Sequence, residues 1–267
     1  MRYRIILYIL AVLGVIYAYI KYMEAHGIFY PNKQVKFTPK DINAAFSDIY
    51  IKTQDNITLN GWFLPYDNSK YTFIFLHGNA GNIGNRLNKI KLLQEAKCNI
   101  FIIDYRGYGR SKGQPDESGF YYDAKAAYEY LLNARGIAPN QIILYGESMG
   151  AAIAIDLAAK SELKAIILEG AFSSGNDMAK IIFPFFPVFI FSDKFNSLKK
   201  INSIKIAKLF IHAKEDEIVP IRLAKKLFDA APEPKTFTEL NGSHNESFLS
   251  AENKYLLAIK SFLNNMQ

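Results

Sequence analysis

An α/β fold built on a mostly parallel eight-stranded sheet with helices on both faces is predicted, on three observations. Short apolar runs recur at 72–76, 100–103, 142–145, 165–168 and 209–211, with a weaker one at 237–240. Between most of them lie segments with helical spacing, at 83–96, 117–133, 149–160 and 221–230, and a last one at 246–263. Apolar strands alternating with helices need crossover connections, which give a parallel sheet covered on both sides. Ahead of them, 46–53 and 57–64 flank the turn pair Asp55-Asn56 and read as a hairpin, so the sheet is mixed. The chain has 267 residues, half of them hydrophobic, enough for one large domain with a sizeable core.

The N-terminus differs in composition. Ile5 to Ile20 is an uncharged run of sixteen residues, preceded by Arg2 and Arg4 and followed by Lys21. A span needs about 20 residues, and Tyr17, Tyr19 and Tyr22 extend the run into the interface that tyrosine favours. With no clear small-x-small cleavage site after it, the run reads as an uncleaved anchor rather than a signal peptide. The expected organisation is an anchor at 1–23, a linker at 24–45 carrying Pro31 and Pro39, and a catalytic-type domain at 46–267. The early basic residues place the N-terminus inside and the domain on the extracytoplasmic side.

Between the strands at 165 and 209 the connection is too long and too apolar for an ordinary loop. Residues 181–191 read Ile-Ile-Phe-Pro-Phe-Phe-Pro-Val-Phe-Ile-Phe, and two prolines oppose one continuous helix. This insertion, at about 175–205, reads as a hydrophobic flap on the sheet's end or a lid. In the lid reading Phe183, Phe186 and Phe189 contact an acyl chain.

The formal charge of +7 favours anionic surfaces. No nucleic-acid-binding motif is present, so the membrane is the expected partner. The lone Cys98 excludes an intramolecular disulfide, and Cys98 and the histidines lack ligand spacing, so no metal is expected.

The chemistry concentrates after the strand at 142–145. Gly146-Glu147-Ser148-Met149-Gly150 is G-x-S-x-G between a strand and a helix, the context that exposes a serine hydroxyl on a sharp turn. A serine needs a base within hydrogen-bond reach. Of the four histidines only His212 and His244 follow Ser148, and in this architecture the order is Ser, acid, His. His212 leaves few acids before it, so His244 is the expected base. The acid is expected after the strand at 209–211, where Glu215, Asp216 and Glu217 stand side by side. Asp216 is the choice, with its neighbours as alternatives. An oxyanion needs two N–H donors. Met149 supplies one, and the loop His77-Gly78-Asn79-Ala80-Gly81-Asn82 supplies the other, from Asn79 ahead of Ala80. The glycine-rich 104–111 stretch lacks the ending of a phosphate loop and reads as structural, with Arg106 a minor candidate for substrate contact.

Together these stretches, with 193–198 and 242–245, resemble the α/β-hydrolase superfamily, nearest its Bem46-like branch with the ABHD13 and ABHD17 groups. The likeness runs from about residue 46 to the end. It implies a cofactor-free hydrolase, often with an N-terminal membrane segment, and some relatives deacylate thioesters. Ala213 departs from a common glycine without removing a catalytic group. The expected function is serine hydrolysis of carboxylic esters or thioesters through Ser148, Asp216 and His244, on a small-molecule or lipid acyl substrate or an acylated protein. Peptidase or amidase chemistry on the same triad, and a non-enzymatic anchored interaction domain, are the competing readings.

Overall fold

The computed structural model describes residues 2–187 and 190–266. Strands β2 (Ser47–Lys52), β3 (Thr58–Leu64), β4 (Thr72–Leu76), β6 (Asn99–Ile103), β7 (Ile142–Glu147), β8 (Ala165–Glu169), β9 (Ala207–Ala213) and β10 (Lys235–Leu240) form one sheet in the order β10-β9-β8-β7-β4-β6-β3-β2. Only β3 runs against its neighbours, and every other pairing is parallel. Asn56 turns the β2–β3 hairpin with φ 63°, a conformation asparagine tolerates.

Side-chain alternation divides the core in two. Ile74, Leu76, Phe101, Ile103, Leu144, Ile166 and Phe210 face α3 (Glu117–Asn133), α4 (Met149–Ala158), α6 (Ser197–Ile201) and α7 (Ile221–Ala230). Phe73, Phe75, Ile100, Ile102, Ile143, Ile167 and Ile211 face α2 (Leu87–Gln94) and α9 (Glu252–Asn264). The period of two along each strand sends successive residues to opposite faces, and both faces are apolar because both carry helices.

Two segments depart from the expected helices. The 83–96 stretch begins as a 3-10 turn, Ile83–Arg86, capped by the Asn82 side chain on Gly84 N. The last helix is broken at Ala251 into α8 (Ser247–Ser250) and α9.

Helix α1 (Arg2–His26) includes an apolar stretch, Tyr3–Met23, exposed along its length. At about 1.5 Å per residue its 21 residues cover about 32 Å, matching a bilayer's hydrocarbon core. This helix fits a membrane anchor. The segment behind it, expected as a linker, is fastened to the domain. Tyr30–Pro31 forms β1, paired in parallel with β5 (Ala80–Gly81), and Phe29 is buried.

In the insertion, α5 (Gly175–Ile182) packs Met178 and Ile181 against the core. Beyond it Phe185 is 95% exposed, and Phe183 and Phe186 are 45% exposed. Phe183 stacks on Phe191 at 5.4 Å and meets Phe186 edge-on at 6.4 Å. Phe183 and Phe186, expected as acyl-chain contacts, thus pack on one another at the surface of the insertion. Phe189 lies outside the described residues.

Candidate functional site

β7 ends at Glu147, and Ser148 makes the turn into α4 with φ 53° and ψ −115°. A non-glycine residue in that region is strained and needs support from its surroundings. The Ser148 N–H donates to Glu169 O at 2.8 Å. The turn is tight enough that a Cβ on Gly150 would overlap the Leu76 carbonyl. Small residues in α4, with Ala151, Ala152 and Ala154 all buried, let the helix lie close on the sheet.

The three consecutive acids after β9 all contact the turn that carries His244, in different ways. Glu215 accepts from Gly242 N at 2.7 Å and Glu217 from His244 N at 3.1 Å. Asp216 alone reaches the ring, with Oδ2 2.7 Å from His244 Nδ1. Its Oδ1 accepts from Ile218 N at 3.0 Å and Val219 N at 2.6 Å, and its side chain is 1% exposed. Burial works against a charged His244 ring, but the hydrogen bond and charge of Asp216 outweigh it and hold the ring above its ordinary value. Sequence reasoning missed His212 as a second neighbour of the acid. Its Nε2 lies 3.3 Å from Asp216 Oδ2 and 2.8 Å from Val219 O, and burial keeps it neutral.

Ser148 and His244 both lie against the end of β8. Gly170 follows the carbonyl that holds Ser148, and a Cβ there would sit 3.0 Å from His244 Cε1. No Ser148–His244 hydrogen bond is formed among the described residues, a looseness common in unliganded sites.

The 77–82 loop passes beside Ser148: a Cβ on Gly78 would lie 3.6 Å from Ser148 Cβ. Among the described residues, the Asn79 and Met149 backbone N–H groups have no protein acceptor. The Asn79 side chain is held at both ends of its amide, by Ile28 O on Nδ2 and by Tyr108 OH and Tyr30 N on Oδ1. Arg86 braces the loop by donating to Ala80 O at 2.7 Å and pairing with Glu147 at 3.0 Å. Burial favours the neutral acid at Glu147, yet Arg86 and Lys89 hold it down at about 2.

Behind the elbow lies a buried polar cluster with no sequence signature. Lys89 Nζ is 2.5 Å from Glu169 Oε1 and 3.7 Å from the centre of the Phe248 ring, and Glu169 also accepts from Tyr145. Arg106 is tied to Asp55 and Asp123. That makes it structural, away from any substrate role.

A family model described as alpha/beta hydrolase fold matches residues 71–190. The chain is 33% identical over 255 residues to the alpha/beta hydrolase domain-containing protein WAV2 of Arabidopsis thaliana, covering 87% of this chain and 83% of that one. The chain belongs to the α/β-hydrolase family. Within it the likeness is to Bem46-type members. Protein bem46 of Schizosaccharomyces pombe is 35% identical over 79% of this chain and 74% of its own length. Human alpha/beta hydrolase domain-containing protein 17B is 36% identical over 73% and 67%. The fold also matches the Pyrococcus furiosus esterase Pf2001 with a TM-score of 0.75 at 22% identity, over 89% of this chain and all of that one. The chain is thus an α/β hydrolase of the Bem46-like group.

Proposed function

We propose that this α/β hydrolase cleaves carboxylic esters or thioesters through Ser148, His244 and Asp216. The observation that carries the proposal is the buried Asp216 carboxylate 2.7 Å from His244 Nδ1, across the end of β8 from the strained Ser148. With Asp216 fixing the proton on Nδ1, His244 Nε2 is free to take the Ser148 proton as Oγ attacks the acyl carbon. The N–H groups of Asn79 and Met149 hold the oxyanion. His244 then protonates the leaving alcohol or thiol, and water activated by the same ring releases the acid from the acyl-enzyme.

The membrane enters the proposal through α1. A Lys21 Nζ to Ser192 Oγ hydrogen bond of 3.1 Å joins the end of that helix to the cap. The exposed Phe185 and the exposed Lys199, both within the cap insertion, support a site mouth turned toward an anionic lipid surface. The substrate is then an acyl lipid or an acylated protein presented at the bilayer, with the domain on the extracytoplasmic side.

The test is hydrolysis of p-nitrophenyl esters of increasing acyl length by the full chain in detergent, with Ser148→Ala beside it. Turnover is expected with the parent and lost in the variant, and the length optimum reports the acyl site. Equal turnover by both proteins would refute the assignment of Ser148. For the lipid surface, Lys194, Lys199 and Lys200 changed together to Gln should slow turnover on anionic vesicles, and an unchanged rate would remove that part of the proposal.

A further inference from the structure

We infer that residues 27–34, which follow the anchor helix, are part of the active site: a strap that positions the oxyanion loop through the side chain of Asn79. The inference rests on the proposed role of the Asn79 N–H, and it concerns what holds that N–H in place.

Asn79 is clamped at both ends of its amide. Nδ2 donates to Ile28 O at 2.7 Å, while Oδ1 accepts from Tyr108 OH at 2.9 Å and Tyr30 N at 3.3 Å. Two of these three partners are backbone groups of the strap. The strap is itself stitched along the same loop. Tyr30 pairs with Ala80 and Pro31 with Gly81, Asn32 N donates to Gly81 O at 2.9 Å, and Asn82 Nδ2 donates to Asn32 O and Gln34 O. Its seat is Phe29, buried against Phe120 at 5.0 Å and against Phe195 at 6.3 Å.

The physical consequence follows from the loop's composition. His77-Gly78-Asn79-Ala80-Gly81 carries two glycines and so restrains its own backbone weakly. An oxyanion donor works only when it is aimed before the charge develops. The amide clamp supplies that aim from outside the loop, using chain that begins directly after α1 ends at His26. The strap is therefore a positioning element: it touches Asn79, and Asn79 touches the reacting oxygen. It also links the pose of the membrane helix to the geometry of the oxyanion hole.

Full-length Asn79→Ala, Phe29→Ala, Phe29→Leu and the Asn79→Ala/Phe29→Ala double variant test this. Each keeps the residue-79 N–H. The readouts are kcat and KM on a short p-nitrophenyl ester, the inhibition constant of an alkyl trifluoromethyl ketone, and thermal midpoint. Asn79→Ala and Phe29→Ala are expected to lower kcat about tenfold or more with KM within about twofold, since removing an oxyanion donor outright costs about 10²–10³. Ketone affinity should fall in proportion to kcat/KM. Phe29→Leu should recover most of the loss, and the double variant should be no worse than the poorer single, because both break one clamp. Unchanged kcat and ketone affinity in a folded Asn79→Ala protein would overturn the inference, even if Phe29→Ala failed to fold. Multiplicative losses in the double variant would do so as well. Full turnover by Ser148→Ala would instead bring down the underlying hydrolase assignment, a separate result.

Discussion

Replacing Asp216 by Asn isolates the step on which the proposed chemistry depends. Asp216 Oδ1 accepts two backbone N–H groups, at 3.0 and 2.6 Å, and these keep the side chain in place after the change. The amide carbonyl takes over that position, so the amide NH2 points at His244 Nδ1, now 2.7 Å away with two donors facing one another unless the ring yields. The ring responds by placing its proton on Nε2, and that nitrogen can no longer accept the Ser148 proton. In the Ser-His-Asp template the same swap costs about 10⁴ in kcat, which is about 5.5 kcal/mol of transition-state stabilisation. The pH profile carries a second signature. His244 acts as a base when neutral, so kcat/KM rises with pH through its pKa. Asp216 raises that pKa above 6.5, whereas burial lowers it. Removing the carboxylate charge leaves burial in control, and the acid limb of the residual activity should move to lower pH. The assay is p-nitrophenyl ester turnover from pH 5 to 9, with a thermal melt to confirm folding. Asp216→Asn retaining more than about a tenth of parental kcat, or a larger loss in Glu215→Gln or Glu217→Gln, would refute the reasoning.

Two further outcomes follow from the packing around the elbow. Gly170 has φ +59°, and a Cβ there would press on His244 at 3.0 Å from Cε1 and 3.5 Å from Nδ1. Gly170→Ala should therefore cost about 1–2 kcal/mol in stability from the left-handed backbone and lower kcat by displacing the ring; a stability loss with kcat intact would show that the ring does not need its present position. Lys89→Met leaves Glu169 buried without its cation, so urea denaturation should show a loss of about 3–5 kcal/mol. The Lys89→Met/Glu169→Gln double variant should recover much of it, and equal instability of the two proteins would mean that packing, not charge pairing, is what Lys89 provides.

The strands and the strand–turn–helix unit around Ser148 were legible because they are local. Apolar runs report burial, and G-x-S-x-G between strand and helix reports a steric requirement confined to five residues. The choice among Glu215, Asp216 and Glu217 was readable only as an expectation. All three approach the 242–244 turn, and which carboxylate meets the ring depends on a backbone turn that sends Asp216 inward and its neighbours outward.

Other features had no linear signature. The 24–45 stretch looks like a linker because its proline content and lack of periodicity are what a strap made of backbone hydrogen bonds also shows. The Lys89–Glu169 pair joins residues 80 positions apart, and nothing in either neighbourhood signals the other. The mutual packing of Phe183, Phe186 and Phe191 also has no signature, because composition does not say which rings of a short insertion meet. By itself, then, the sequence determined the fold class and the strand–turn–helix setting of Ser148, since each is fixed by local sterics and by the order of elements along the sheet. Only the tertiary structure decided which carboxylate reaches the His244 ring and what grips the 77–82 loop, because those depend on contacts between residues distant in the chain.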